Sequence, residues 1–357
     1  MSGKERDMPL LLRFERGHET GTYGGTLLKE LFGRPGLPDD ACGSVEFRAE
    51  KDGGPRVSEG PCAGMTFSDL IAEFGVDIAG RELASLLAKD MVFEVRLACA
   101  GEADSPVTII YGDDKDKRAQ KPTGAAAVLY AEDRARFYYG RRRSLSADRF
   151  FVLARKSPGH EILQERKAEA GQVFLIPPSL PYSLGAGVVA YTASIEKKGK
   201  DRAVGLPGGG LRGGNIARDL DPTPVPDSRL FVSPRGWVTG MNAITWLYAT
   251  ATFSSVRLDL REQWTETYEQ ERKGLAVVTC VKGDALIVCG DDTETLGNGI
   301  TVVATGACPG LRINPGPAGV SAIFTWFPEK DSIDALLRKK GMSQREIEGL
   351  FGFFGRE

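Results

Sequence analysis

Hydrophobic positions along the chain change period twice. In the first ninety residues they recur at helical spacing, as Leu27, Leu28 and Leu31 and then as Leu83, Leu86 and Leu87. Gly33, Pro35, Gly36 and Pro38 end the first of these helices, and Thr66-Phe-Ser-Asp69 caps a segment carrying Leu70, Ile71 and Phe74. From Met91 the pattern becomes short runs of Val, Ile, Phe and Tyr, each followed within a few residues by Gly, Pro or Asp. These runs predict strands over 91–97, 107–111, 125–130, 135–139, 149–155, 172–177 and 187–195. Turn formers then dominate 205–214 and 221–227, after which strands resume at 244–260, 275–280, 285–289, 300–304 and 320–327. The tail returns to helix: Ser343 and Glu346 stand at capping-box spacing, and Ile347, Leu350, Phe351 and Phe354 follow at i, i+3, i+4 and i+7.

Closely spaced short strands with turn signals predict antiparallel sheets that bury one face and manage their edges by folding into a second layer. The expected fold is all-β: two jelly-roll β-sandwiches, a small helical insertion and a C-terminal helical tail. The expected boundaries are 1–220 for the first sandwich, with its insertion over about 22–90, then 221–330 for the second and 331–357 for the tail.

Composition narrows the chemistry. The 357 residues carry 46 Lys+Arg against 48 Asp+Glu, a net charge of −2, so no basic surface is forced on a nucleic acid or membrane partner. The 44 glycines and 20 prolines speak against a mainly helical design. Only two histidines are present, His18 and His160, which excludes mechanisms needing several imidazoles. Neither sits in a nucleophile motif, so hydrolase chemistry has no support. The six cysteines form no C-x-x-C pair and read as mostly buried free thiols. The stretch from Met8 to Leu12 is too short for a signal h-region, and the expected compartment is the cytoplasm.

One segment carries a specific resemblance. Gly171-Gln-Val-Phe-Leu-Ile-Pro-Pro-Ser-Leu-Pro-Tyr182 has the spacing of the second cupin motif, in which a glycine turn leads through a strand to a proline and a metal-binding histidine. Tyr23-Gly-Gly-Thr-Leu-Leu-Lys-Glu-Leu-Phe-Gly33 resembles the opening W-G-G-x-x-L of type I phosphomannose isomerases of the short bacterial two-cupin form. Gly43-Ser-Val-Glu46, Val57-Ser-Glu-Gly60, Tyr111-Gly-Asp-Asp114 and Phe137-Tyr-Tyr-Gly140 extend that resemblance over nearly the whole chain. It implies two cupin-type sandwiches and a zinc-dependent interconversion of mannose 6-phosphate and fructose 6-phosphate through an enediol.

Carried over position by position, the family's first ligand pair falls on Ile109 and Tyr111, its glutamate on Gly124 and its last histidine on Tyr182. Ile and Gly side chains offer no lone pair, and tyrosine with an ordinary pKa near 10 is a poor ligand at neutral pH. No metal and no other cofactor is therefore expected. Tyr111 and Tyr182 are expected to project into one cavity, stacking on a sugar ring or filling the space a metal left. Arg202 aligns with the arginine the family uses near substrate, and Lys121 lies beside the family's lysine position, which is Pro122. The expected function is a phosphomannose isomerase-like protein without metal or isomerase activity that retains binding of a sugar phosphate or another small ligand. Two alternatives stand beside it: an active mannose-6-phosphate isomerase with a non-standard metal site, and a structural or regulatory partner protein. The oligomeric state is left open.

Overall fold

The structure is a computed structural model that describes residues 7–34, 36–111, 123–154, 157, 159–198, 230–250, 252–266, 272–328 and 332–351. The expected boundary at 220, the turn-rich stretches before and after it, Lys121, Arg202 and Phe354 lie outside the described residues. The fold is mainly β, with antiparallel sheets, small helical parts and helices near the C-terminus. No helix among the described residues is long and apolar enough to cross a membrane. Two compact units interleave along the chain. Unit 1 comprises Met1–Gly17, Glu46–Phe93 and Arg235–Ile347, and unit 2 comprises His18–Val45, Glu94–Pro234 and Glu348–Glu357.

Unit 1 is built on two long strands, β16 (Arg272–Cys289) and β19 (Arg312–Pro328). With β1 (Leu11–Leu12), β12 (Arg235–Thr239), β13 (Asn242–Ala249), β14 (Ser254–Leu260) and β18 (Thr301–Ala304) they order as β1-β18-β16-β19-β14-β13-β12. The short strands β15 (Trp264–Thr265) and β17 (Asp292–Leu296) pair with β19 and β16. The pairing of β16 with β19 shifts register around Cys280–Ala285, where both strands bend. Glycine is required there, because Gly283 has φ +84° and a Cβ on it would stand 2.2 Å from the Gly319 carbonyl oxygen. The core includes a run of rings, Phe14, Phe47, Phe67, Phe93, Phe253 and Phe327, with Phe93 and Phe327 at 4.8 Å between centroids. Its helices are α2 (Phe67–Phe74), α3 (Arg81–Ala88), α6 (Ser332–Lys339) and the first half of α7 (Gln344–Phe351). The capping box foreseen at Ser343 and Glu346 forms at α7, and the cap foreseen at Thr66 is itself a capping box with Asp69 at α2.

Unit 2 pairs a seven-stranded sheet, β11-β8-β5-β10-β4-β3-β2, with a three-stranded one, β7-β6-β9. The larger sheet uses β2 (Gly17–Thr20), β3 (Ala41–Ala49), β4 (Met91–Ala100), β5 (Gly124–Ala131), β8 (Val173–Ile176), β10 (Val188–Lys197) and β11 (Phe231–Val232). The smaller uses β6 (Arg136–Arg141), β7 (Leu163–Lys167) and β9 (Tyr182–Leu184). Phe137, Tyr139 and Leu184 of the smaller sheet form one buried cluster with Ala126, Phe174, Ile176 and Ala190 of the larger, so the core lies between the two layers. Phe137 and Phe174 meet at 4.1 Å between centroids. Helix α1 (Leu27–Phe32) ends at Gly33, whose φ of 56° is the left-handed C-cap conformation.

Some segments differ from the sequence expectation, and 107–111 makes an isolated bridge at Thr108 in place of a strand. Residues 149–155 were expected as a strand, but Ala147–Ala154 form helix α4, whose buried Phe150 packs with Ile162 of the short helix α5 (Gly159–Ile162). A short apolar run does not by itself distinguish a strand from a buried helix. Conversely, β3 runs through the region expected as helical insertion. Its Gly43, Ser44 and Glu46 interrupt the apolar pattern, yet Ser44 and Glu46 are buried.

Candidate functional site

Unit 2 holds a cavity of about 150 Å³, open at one side. Its walls come from β2 (Glu19), β4 (Arg96, Ala98, Cys99), β9 (Tyr182, Leu184) and β10 (Thr192), with Tyr23, Cys42 of β3 and the segment Ser105, Pro106 and Thr108. Thr108 and Tyr182 are bridge partners, exchanging backbone hydrogen bonds of 2.7 and 3.0 Å, which places both side chains beside each other on the cavity side.

Extended backbone alternates its faces, and this alternation sorts 107–111. Val107, Ile109 and Tyr111 pack with Tyr138, Phe150, Ile162 and Leu163, the cluster that faces α4 and α5. Thr108 lines the cavity, and Ile110 packs into the core between the layers. The structure thus separates Tyr111 from Tyr182, which the sequence reading had placed in one cavity. Ile109 is likewise turned away. With a side-chain period of two, the alternate residues Thr108 and Ile110 take the opposite face.

Of the four positions carried over from the resemblance, Tyr182 alone is among the residues that line this cavity. Gly124 opens β5, opposite Ile176 and Ser194. A Cβ on it would stand 2.7 Å from Ile110 Cδ1, so the isoleucine methyl fills the space over the glycine. Tyr182 stacks on Phe137, with ring planes 5° apart and centroids at 6.2 Å. This donor set does not fit a zinc ion, which takes imidazole, thiolate and carboxylate ligands in a tetrahedron. Two of the four positions carry hydrocarbon or hydrogen alone. Among the described residues, no three His, Cys, Asp or Glu side chains converge as metal ligands would.

What the cavity does present is one ion pair and several neutral polar groups. Arg96 pairs with Glu19 and has Glu94 at 3.9 Å on its other side, with side-chain exposures of 14% for Arg96 and 2% for Glu94. Gly43 makes room for the guanidinium, since a Cβ there would stand 2.6 Å from Arg96 Nη2. Burial pushes the Tyr23 phenol and the Cys42 thiol above their ordinary ranges, and it pushes Cys99 up to about 12. All three hold their protons at neutral pH. Ser105 accepts from the Leu184 amide at 2.9 Å, and Thr192 donates to the Arg96 carbonyl at 3.4 Å.

Both histidines are exposed, and His160 Nδ1 meets Asp104 at 3.1 Å. Sequence reasoning missed Arg96, Glu19 and Thr108. The available signal was Glu94 and Arg96, two charges spaced by two within the apolar run 91–97.

Two antiparallel β units, one of them holding a polar cup, make up a cupin-like fold. The fold is that of the phosphomannose isomerases. The chain is similar to mannose 6-phosphate isomerase from Bacillus subtilis, with a TM-score of 0.66 at 13% identity over 89% of this chain and 99% of that one. A putative mannosephosphate isomerase from Archaeoglobus fulgidus matches with a TM-score of 0.66 at 13% identity, over 90% and 99%. A single-substitution form of phosphomannose isomerase from Salmonella typhimurium matches with a TM-score of 0.65 at 11% identity, over 89% and 100%. No protein-family model matches the sequence and no curated protein matches it significantly, so the likeness is one of fold.

Proposed function

We infer that this chain is a small-ligand-binding two-cupin protein whose cup does not carry out zinc-dependent isomerisation. The reading rests on one observation above all: of the positions to which the resemblance assigns the metal ligands, Ile109 and Tyr111 pack away from the cavity, and Gly124, under the Ile110 methyl, has no side chain to offer. An enediolate needs a cation or a set of strong donors aimed at its developing charge. The carried-over ligand positions supply neither, and the guanidinium that the cavity does present, Arg96, is paired with Glu19. The cavity itself speaks for retained binding, since it combines an aromatic wall, an ion pair and hydroxyl groups in a concave site.

The test joins metal analysis to an activity assay. Purified protein is expected to carry far less than one zinc per chain and to leave mannose 6-phosphate and fructose 6-phosphate unconverted, with or without added zinc. Stoichiometric zinc, together with interconversion that a chelator abolishes, overturns the reading in favour of a working isomerase.

A further inference from the structure

We propose that the cup of unit 2 selects an uncharged polyhydroxylated ring, a free sugar or cyclic polyol, over its phosphorylated form. This rests on the small-ligand reading above and names the ligand class. Among the described residues that line the cavity, Arg96 is the one cation, and it is already matched by Glu19 and flanked by Glu94. A phosphate group entering the cup has to displace Glu19 from the guanidinium and then face the Glu94 carboxylate at close range. Like charges confined to a partly buried site repel strongly, because little water is present to screen them.

A neutral ring meets no such obstacle. Side by side, a guanidinium that donates and a carboxylate that accepts match the alternating needs of two vicinal hydroxyls, so a neutral ring can bind without breaking the ion pair. Tyr182 offers an aromatic wall, against which the C–H groups of a sugar ring lose little on leaving water. Thr108, beside Tyr182 in the wall, adds a short polar side chain. The volume of about 150 Å³ suits a single ring rather than an oligosaccharide, a cavity of this size being roughly what one benzene molecule occupies in an engineered core.

Calorimetric titration of the full chain tests this with mannose, fructose and myo-inositol, set against mannose 6-phosphate and inorganic phosphate. The expected result is saturable binding of at least one neutral ring, with mannose 6-phosphate at least tenfold weaker than mannose. Glu19→Gln is expected to narrow that gap by removing the competing carboxylate, and Tyr182→Ala to weaken the neutral ligand at least tenfold, with both variants checked for a native circular dichroism spectrum. Mannose 6-phosphate binding as tightly as mannose, or a gap unchanged in Glu19→Gln, overturns the ligand class while leaving the small-ligand reading in place. An absence of binding by every compound overturns the small-ligand reading itself.

Discussion

Ile110 and Gly124 fit together as a bulge into a hollow: the isoleucine Cδ1 lies 2.7 Å from the point a Cβ on the glycine would occupy. Each residue therefore constrains the other. Gly124→Ala overpacks the site and is expected to cost about 1–3 kcal/mol in denaturant unfolding. Ile110→Val deletes the interfering methyl and is expected to cost roughly 0.5–1.5 kcal/mol alone. The double variant should be more stable than the sum of the two losses predicts, because valine gives back the room that alanine needs. Additive losses would show that the two side chains do not compete for the same space.

A second prediction contrasts two glycines with the same sign of φ. Gly283 in β16 has φ +84° and the Gly319 carbonyl oxygen 2.2 Å from a hypothetical Cβ, whereas Gly33 at the end of α1 has φ +56° and nothing within 4 Å. Gly33→Ala meets only the backbone penalty, roughly 1–2 kcal/mol. Gly283→Ala adds a clash with backbone that cannot turn aside as a side chain can. Thermal melts should rank Gly283→Ala well below Gly33→Ala, and equal melting temperatures would refute the role given to the bend between β16 and β19.

The contrast between these positions explains what the sequence could reveal. The helices α1, α2, α3 and α7 were legible because their signals are local: a cap, a glycine stop and apolar positions at period 3.6. So was the jelly-roll class, from the spacing of short strands. Strand β3 was not, since Ser44 and Glu46 make sense only once their burial is known. The site was half legible. Tyr182, reached by counting along a motif, lines the cavity, but Ile109 and Tyr111 depend on which face their extended segment turns inward, and they pack with Tyr138 and Phe150 instead. Arg96 depends on its pairing with Glu19, 77 residues away in sequence, which no local pattern records. The residues that carry the ligand proposal are thus the ones brought together by the fold alone.

Stability should fall on the alkaline side, and Cys99 gives the window. Burial raises its thiol from the ordinary value of 9.0 to about 12. Between those two values the unfolded chain has released the proton that the folded chain still holds, so stability declines as pH rises from about 9 to 12. Tyr138, raised to about 12 by burial and by Asp104, adds a slope of the same sign from about pH 10. Comparing the pH dependence of melting in wild type and Cys99→Ala isolates the thiol: the variant should show the shallower decline. The same burial predicts that native Cys99 resists alkylation at pH 8 and reacts after unfolding, and rapid labelling of the native protein at Cys99 would contradict it.

Cys289 and Cys308 depart from the expectation of free thiols, for they form a disulfide across 19 residues with Cα atoms 6.0 Å apart. Cys42, Cys62, Cys99 and Cys280 remain free and buried. Spacing along the chain does not reveal such a pair, because the two cysteines meet only in the fold. Closing a loop of this size contributes roughly 3 kcal/mol by restricting the unfolded chain. Alkylation in denaturant should therefore modify four thiols without reductant and all six after reduction, counts that follow from one bond among six cysteines. The reduced protein should unfold at lower denaturant by an amount matching that estimate. Modification of all six without reductant would remove the bond from the account. Because disulfides persist in oxidising compartments and are rare in the cytosol, the fraction oxidised in freshly lysed, acid-quenched cells also tests the expected location. A pair largely oxidised at that moment argues against the cytoplasm, and a pair largely reduced places the bond among those that form only after extraction.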